Sequence, residues 1–323
     1  MSNFITAIGI DFGGTSVKLG LVSSSGRVLE RAGFATGKTA AHSEILDALT
    51  HSVRLLQQKA KARHLKVCGV GIGAPGPIDV ERGLVYFFPN LPGWKNFEIR
   101  KVLSKRLQLP VAVDNDANAM ALGEYRFGGG RGSRLFIGLT LGTGVGGGMV
   151  LDGRLFHGPA FSAAEFGHVI IDPSGPLCGC GNRGCVETFV GNGYFVAETR
   201  RRLKNEKSVL KKWVKNGEIL TPILVQTAAR QGDRFAKQMW AESGTQLGTM
   251  LAGIINILNP DCIAIGGGLA QSGALIFSPI RSAIRKKAFP IAGRSVRVIP
   301  AVLGNDAGLV GAACLAFGES ISR

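Results

Sequence analysis

The sequence predicts an α/β protein built on a duplicated plan, and three observations carry that reading. Short apolar runs alternate with stretches whose apolar positions recur at three and four, strand and helix in turn. The segment 4–36, FITAIGIDFGGTSVKLGLVSSSGRVLERAGFAT, reads as strand, glycine turn, strand, Ser-Gly turn, strand. The segment 135–156, LFIGLTLGTGVGGGMVLDGRLF, repeats that plan, with Gly26-Arg27 and Gly153-Arg154 at matching points. Self-similarity on this scale implies a duplicated domain whose two glycine turns face each other across a cleft. No low-complexity linker interrupts the chain. The boundary is placed within 117–122, giving an N-terminal domain at 1–119 and a larger C-terminal domain at 120–305. A last apolar helix at 306–318 returns to the first domain.

Between the repeats, apolar residues at 45, 46, 49, 53 and 56 predict a helix from Ser43, its cap, to about Arg63. VCGVGIGAP (67–75) reads as a buried strand. It runs into the rigid turn 73–77, where the backbone at Gly73 meets solvent or ligand. FFPNLPGW (87–94) reads as a loop carrying Asn90 between prolines, and 96–108 as a modest helix. VAVDNDANAMALGEYRFG (111–128) is a short strand ending in Asp114-Asn115-Asp116, with a helix opening near Ala117. Further on come a helix at 235–257, a buried strand in 261–270 and another in 296–304.

The 323 residues, 45% of them hydrophobic, are enough for two cored domains. No apolar run reaches the roughly 18 residues of a membrane span. Nothing at the N-terminus has the pattern of a signal peptide, so a cytoplasmic location with reduced thiols is expected. The formal net charge of +16 reads either as a solvated basic face or as attraction for a polyanion. The basic run 199–215 spaces Leu203, Leu210 and Val214 as one amphipathic surface helix and lacks the aromatics of a single-strand binder. Cys68, Cys262 and Cys314 stand singly in apolar runs and read as small core residues.

The other three cysteines organise the candidate chemistry. Cys178, Cys180 and Cys185 fall within eight residues, and His168 precedes them by ten. A Cys3His set is a closed tetrahedral zinc site, which leaves no position for a catalytic water. Glycines 179, 181 and 184 let the backbone wrap an ion. Glu165 and Glu187 flank the knot near the same imidazole, a carboxylate clamp for sugar hydroxyls stapled by zinc. In the first glycine turn, Asp11 ends a strand, Gly13, Gly14 and Thr15 offer backbone N–H groups and a hydroxyl to phosphate, and Lys18 follows. A plain hairpin accounts for that turn equally well. Acids at a strand end beside a helix start suit ligand work, while capping by Asn115 or Asp116 explains one of them. Gly142, Thr143, Gly144, Val145 and Gly146 join two strands, which excludes a dinucleotide fingerprint and suits a triphosphate held between two Gly-Thr loops. Gly266, Gly267 and Gly268 let the backbone lie flat against a ring system.

Together DFGGT (11–15), GAPGP (73–77), DNDANA (114–119), LGTGVGGG (141–148), EFGH (165–168), CGCGNRGCVE (178–187) and IGGG (265–268) resemble the ROK family of repressors and sugar kinases. The resemblance covers essentially the whole chain, and its cysteine block is the most specific part. It implies two ribonuclease-H-like domains of the actin and hexokinase type with a cleft between. It also implies a kinase of carbohydrate metabolism and glycolysis that uses ATP with Mg2+ and carries a structural Zn2+. By the same resemblance, Asp116 acts as base on the sugar 6-hydroxyl and Asn115 binds ring hydroxyls. Glu165, His168 and Glu187 hold the sugar, and His168 serves zinc with its other ring nitrogen. Asp11 faces magnesium, the turns at 13–15 and 142–146 cradle phosphates, and 266–268 borders adenine. FPNLPGW (88–94) and ALGEYRFGGGRG (121–132) look most like the glucokinase group, which points to D-glucose. TFVGNGYF (188–195) departs from that group's small-residue pattern, which leaves fructose, mannose or an amino sugar open. The charge leaves a polyphosphate donor open. Family repressors carry a DNA-binding module ahead of the first glycine loop; here that loop begins at residue 11, so DNA is not an expected partner. A sugar-responsive regulator without turnover is the rival class. Relatives are commonly dimers or tetramers, so a homo-oligomer is expected.

Overall fold

The computed structural model describes residues 5–36, 42–88 and 91–318, the side chains at 91 and 92 excepted. The chain opens with strands β1 (Ile5–Phe12), β2 (Ser16–Ser23) and β3 (Val28–Ala35), helix α1 (His42–Ala62) and strand β4 (Lys66–Ala74). Then come β5 (Ile78–Asp79), β6 (Leu84–Phe88), β7 (Leu91–Phe97), α2 (Ile99–Leu107), β8 (Val111–Asn115) and α3 (Asp116–Phe127). The repeat hairpin is β9 (Leu135–Leu141) and β10 (Val145–Leu151), followed by β11 (Arg154–Leu155). Helices α4 (Glu187–Val190), α5 (Asn192–Leu203), α6 (Val209–Lys215), α7 (Pro222–Arg230) and α8 (Arg234–Leu258) lead to β12 (Cys262–Gly266). Helices α9 (Ala274–Lys287) and α10 (Pro290–Ser295), strand β13 (Arg297–Pro300) and helix α11 (Ala307–Phe317) complete the order.

Two five-stranded sheets share one topology, β3-β2-β1-β4-β8 and β11-β10-β9-β12-β13. In the first, β1–β2 and β2–β3 are antiparallel, while β1–β4 and β4–β8 are parallel. In the second, β10–β11 is antiparallel and β12–β13 parallel. The duplication read from the two glycine hairpins is thus present in the strand order of both sheets.

The chain divides into two compact units, residues 1–138, 148–164 and 301–323 in one, 139–147 and 165–300 in the other. A single boundary at 119/120 would cut the continuous helix α3, so the division lies elsewhere and crosses the chain several times.

In the first unit, alternation along β1 sends Ile8, Ile10 and Phe12 to one face, where they pack with Leu49, Val53 and Leu56 of α1 and Leu103 of α2. The opposite face carries Ala7 and Gly9 and receives α11. That approach requires glycine. A Cβ on Gly9 would lie 2.0 Å from the Leu309 carbonyl oxygen, and one on Gly71 1.7 Å from that of Ala312. Helix α11 in turn meets α3 through small residues, since a Cβ on Gly311 would lie 1.6 Å from the Ala119 carbonyl oxygen. The helix that begins at Asp116 is therefore clamped by backbone contact.

Three expectations are corrected. Helix α1 begins by His42, so Ser43 lies inside it and is not its cap. Strands β6 and β7 pair antiparallel in a three-stranded sheet with β5, so the described residues of the loop expected at 87–94 lie in strands; residues 89 and 90 lie outside the described residues. Trp94 there is buried against Phe12, Phe88 and Phe97, and burying those rings draws both flanks of the segment into strands. The basic run 199–215 is two helices. Ser208 takes extended backbone and caps α6 through the Leu210 N–H, which breaks the segment after Leu203.

In the second unit, α8 and α9 pack closely through Gly244 and Gly248, whose added Cβ atoms would meet Pro279 and the Ile280 carbonyl. Phe195 of α5 stacks on Trp240 of α8 at 4.7 Å between ring centroids. Among the described residues, no helix is long and apolar enough to cross a membrane.

Candidate active site

In the first unit, strand register brings separated motifs into line. Asp11 pairs with Gly73 across β1–β4, and Gly73 with Asp114 across β4–β8. All lie at the carboxyl ends of parallel strands, where open α/β sheets bind ligands. Burial raises the Asp11 carboxyl above its usual range, opposed by Lys18, whose Nζ is 4.0 Å away. Lys18 and Thr15 are exposed, and the turn closes with the Gly13 N–H donating to the Ser16 carbonyl at 3.0 Å. Gly73 is itself a packing position: a Cβ there would lie 2.9 Å from Ala119 Cβ and 3.4 Å from Asp116 Cα. Asn90 lies outside the described residues.

At the β8–α3 junction, Asn115 does cap the helix, its Oδ1 accepting from Ala117 N at 2.9 Å and Asn118 N at 3.4 Å. Its Nδ2 donates to the Gly76 carbonyl at 3.2 Å. Asp116 is the first residue of α3, and its Oδ1 accepts from the Ala117 N–H at 2.8 Å. Asp114 is 3% exposed and is a hub. Its Oδ1 accepts from Asn115 N at 2.7 Å and Asn118 Nδ2 at 2.9 Å, and its Oδ2 lies 2.6 Å from His157 Nε2. Burial works against a charged His157, but the hydrogen bond and charge of Asp114 outweigh it and raise the imidazole's pKa. Neither His157 nor Asn118 was singled out in the sequence. Nothing in spacing ties a lone histidine to an acid 43 positions earlier.

In the second unit, one ligand atom from each of His168, Cys178, Cys180 and Cys185 lies within 4.8 Å of all the others. Cys180 Sγ and Cys185 Sγ are 3.7 Å apart, as are Cys178 Sγ and His168 Nδ1. Zn–S bonds of about 2.3 Å at tetrahedral angles put sulfurs about 3.8 Å apart, so the donor set fits zinc. Burial raises the Cys178 thiol and pushes that of Cys185 up to about 12, while the Asn182 backbone lowers Cys180. All six cysteines are free thiols; Cys262 and Cys314 are buried as expected, and Cys68 is half-buried.

The knot is tied by its backbone. The Cys178 N–H donates to the Asn182 carbonyl at 2.8 Å and the Gly181 N–H to that of Cys178 at 3.0 Å. Gly181 and Gly184 take φ of +95° and +68°, a region open to glycine. Gly179 does not share it; its N–H instead donates to the Tyr194 hydroxyl at 3.0 Å, an anchor the sequence did not indicate. Glu165 is exposed just before the 3-10 turn Phe166–His168.

Glu187, first residue of α4, joins the knot to the second glycine turn. Its Oε2 accepts from the Val145 N–H at 2.9 Å, and its Oε1 is 3.8 Å from Cys178 Sγ. That turn is further held by Gly142 N to the Gly144 carbonyl at 3.0 Å and by Asn192 N to the Gly142 carbonyl at 2.9 Å. Gly267 packs on β9 with φ of +88°, where a Cβ would lie 2.3 Å from the Leu141 carbonyl oxygen. Gly266 ends β12, and Gly268 opens the 3-10 turn that follows.

A family model described as the ROK family matches residues 7–319. A glucokinase of Thermotoga maritima is 37% identical over 309 residues, covering 95% of this chain and 96% of that protein. A glucokinase of Streptomyces coelicolor is 38% identical over 314 residues, 96% of each chain. Among solved structures, a ROK family glucokinase from Streptomyces griseus in complex with glucose and AMPPNP is 37% identical. Its TM-score is 0.79, with 96% of this chain and 98% of that one covered.

Proposed function

Since this chain belongs to the ROK family, we propose that it is an ATP-dependent hexokinase-type phosphotransferase converting D-glucose to glucose 6-phosphate. The observation that carries the reading is the near full-length similarity to glucokinases, including one solved with glucose and AMPPNP. The strand-end alignment of Asp11, Gly73 and Asp114, with Asp116 opening the next helix, supports it.

In this reading Asp116 accepts the proton of the 6-hydroxyl as that oxygen attacks the γ-phosphorus and ADP departs. Phosphoryl transfer needs little covalent help, so positioning and charge neutralisation supply most of the acceleration. Backbone N–H groups of 13–15 and 142–146, with Thr15 and Lys18, cradle phosphates. Asp11 would hold the magnesium that accompanies the nucleotide, which would supply charge neutralisation, and 266–268 would border adenine. Gly73, Asn90, Asn115, Glu165, His168 and Glu187 hold the sugar. Zinc on His168 Nδ1 and three thiolates would be closed to substrate and would tie the loop that carries this grip. The imidazole's Nε2 then remains for a sugar hydroxyl.

Replacing Asp116 by Asn removes the base and keeps the shape. Turnover is expected to fall by at least about 100-fold with glucose binding nearly intact. An assay of ADP release across a hexose panel separates the enzyme from a non-catalytic sugar-responsive regulator and ranks the sugars. The same assay with polyphosphate tests the donor. No release with any hexose and either donor would sink the reading.

A further inference from the structure

We propose that His157 is a positioning residue for phosphoryl transfer, acting through Asp114 to hold the backbone that presents Asp116. The proposal rests on Asp116 being the base. Asp114 stands two residues before Asp116, is almost fully buried, and has both oxygens engaged. Two of its donors, Asn115 N and Asn118 Nδ2, belong to the β8–α3 junction itself. The third, His157 Nε2 at 2.6 Å, comes from the segment beyond β11. His157 is itself held, its carbonyl accepting from Ala163 N at 3.0 Å and its ring edge-on to Phe161.

Local bonds fix the carboxylate to its own turn; among the described residues, only the imidazole fixes it to another part of the fold. Without that donor, a buried carboxylate oxygen is left with its desolvation cost unmet. The carboxylate then rotates toward another donor, which releases the Asn115 N–H, or takes up a proton on Oδ2, which weakens Oδ1 as the acceptor of that N–H. Asp116 is the next residue, and displacing a reacting group by about 1 Å costs up to about 100-fold in rate. The Asn115 side chain is held separately by Gly76 and by its cap, so sugar binding changes less than turnover.

The test compares His157→Leu, which removes the donor, with His157→Gln, which keeps an N–H donor at the end of the side chain. Turnover with ATP and glucose is read beside the glucose Kd from calorimetry. For the Leu variant, kcat is expected to fall by about 10- to 100-fold with Kd within about three-fold. The Gln variant is expected to recover most of the loss. If the Leu variant does not fold, His157→Met, an apolar side chain of similar length that offers no donor, takes its place. Wild-type kcat in the donor-less variant, or a Gln variant no better than it, overturns the proposal. Asp116→Asn is measured in parallel, alone and combined with His157→Leu. Loss of turnover in Asp116→Asn alone leaves the base reading standing even if His157 proves silent; retained turnover there removes the base reading itself. If His157 acts through Asp116, the double variant loses no more than Asp116→Asn; additive losses overturn the proposal.

Discussion

Gly144→Ala isolates the contact between the metal loop and the second glycine turn. A Cβ at residue 144 would lie 2.2 Å from Glu187 Oε2, and the nearest real contacts of a Cβ are no closer than 3.0 Å. The obstructing atom is a side-chain tip, so the carboxylate withdraws and the backbone stays. A retreat of roughly 1 Å stretches its 2.9 Å bond to the Val145 N–H beyond hydrogen-bonding range. Val145 is 4% exposed, so water does not readily replace the lost acceptor. A hydrogen bond to a charged group is worth about 1.5–3 kcal/mol, or about ten- to 150-fold in an equilibrium or rate. The expected result is a fall of that size in kcat/KM, read by a coupled ADP assay at varied ATP and varied glucose. The decisive control is the same substitution in a Glu187→Ala background, where the clash is gone and the further loss should be under about three-fold. Equal losses in both backgrounds would refute the reasoning, because the damage would then not pass through Glu187.

Cys180→Ser should lower bound zinc, measured by elemental analysis of the purified protein, and weaken glucose affinity in the same preparation. Unchanged zinc content in that variant excludes the proposed ligand set. The folded-state pKa of His157 is raised above its ordinary value of 6.5, so its pairing with Asp114 stabilises the fold fully below about pH 6.5. That contribution is lost as pH rises through the folded value. Wild type should therefore lead His157→Gln in Tm by more at pH 5.5 than at pH 8.5, and an unvarying gap contradicts the pairing. Gly71→Ala pushes a methyl to 1.7 Å from the Ala312 carbonyl, a backbone atom that cannot swing aside. Overpacking of this kind costs about 1–3 kcal/mol, so chemical denaturation should show that loss or more. Undiminished stability would mean that α11 does not lie against this face.

Local chemistry explains what was readable beforehand. A metal knot needs its ligands close in sequence and its glycines at left-handed positions, so Cys178, Cys180, Cys185 and His168 announce themselves. Strand-end acids and glycine hairpins do the same, because a tight turn or a close approach admits few residue types. The repeated strand plan follows from the same signals twice over, as the common order of both sheets bears out.

Other features depend on which distant segments meet. Phe88 and Trp94, inside the stretch whose prolines signal a loop, lie in paired strands because their rings bury against Phe12. His157, Asn118 and Tyr194 carry no local signature; each matters through one partner. The sequence by itself marks where four metal-capable ligands gather, since that cluster is built within a short span of chain. Tertiary structure alone decides that Asp114 is held by His157 and that Glu187 holds Val145. The reason is that a buried carboxylate takes its donor from whatever backbone or side chain the fold brings beside it.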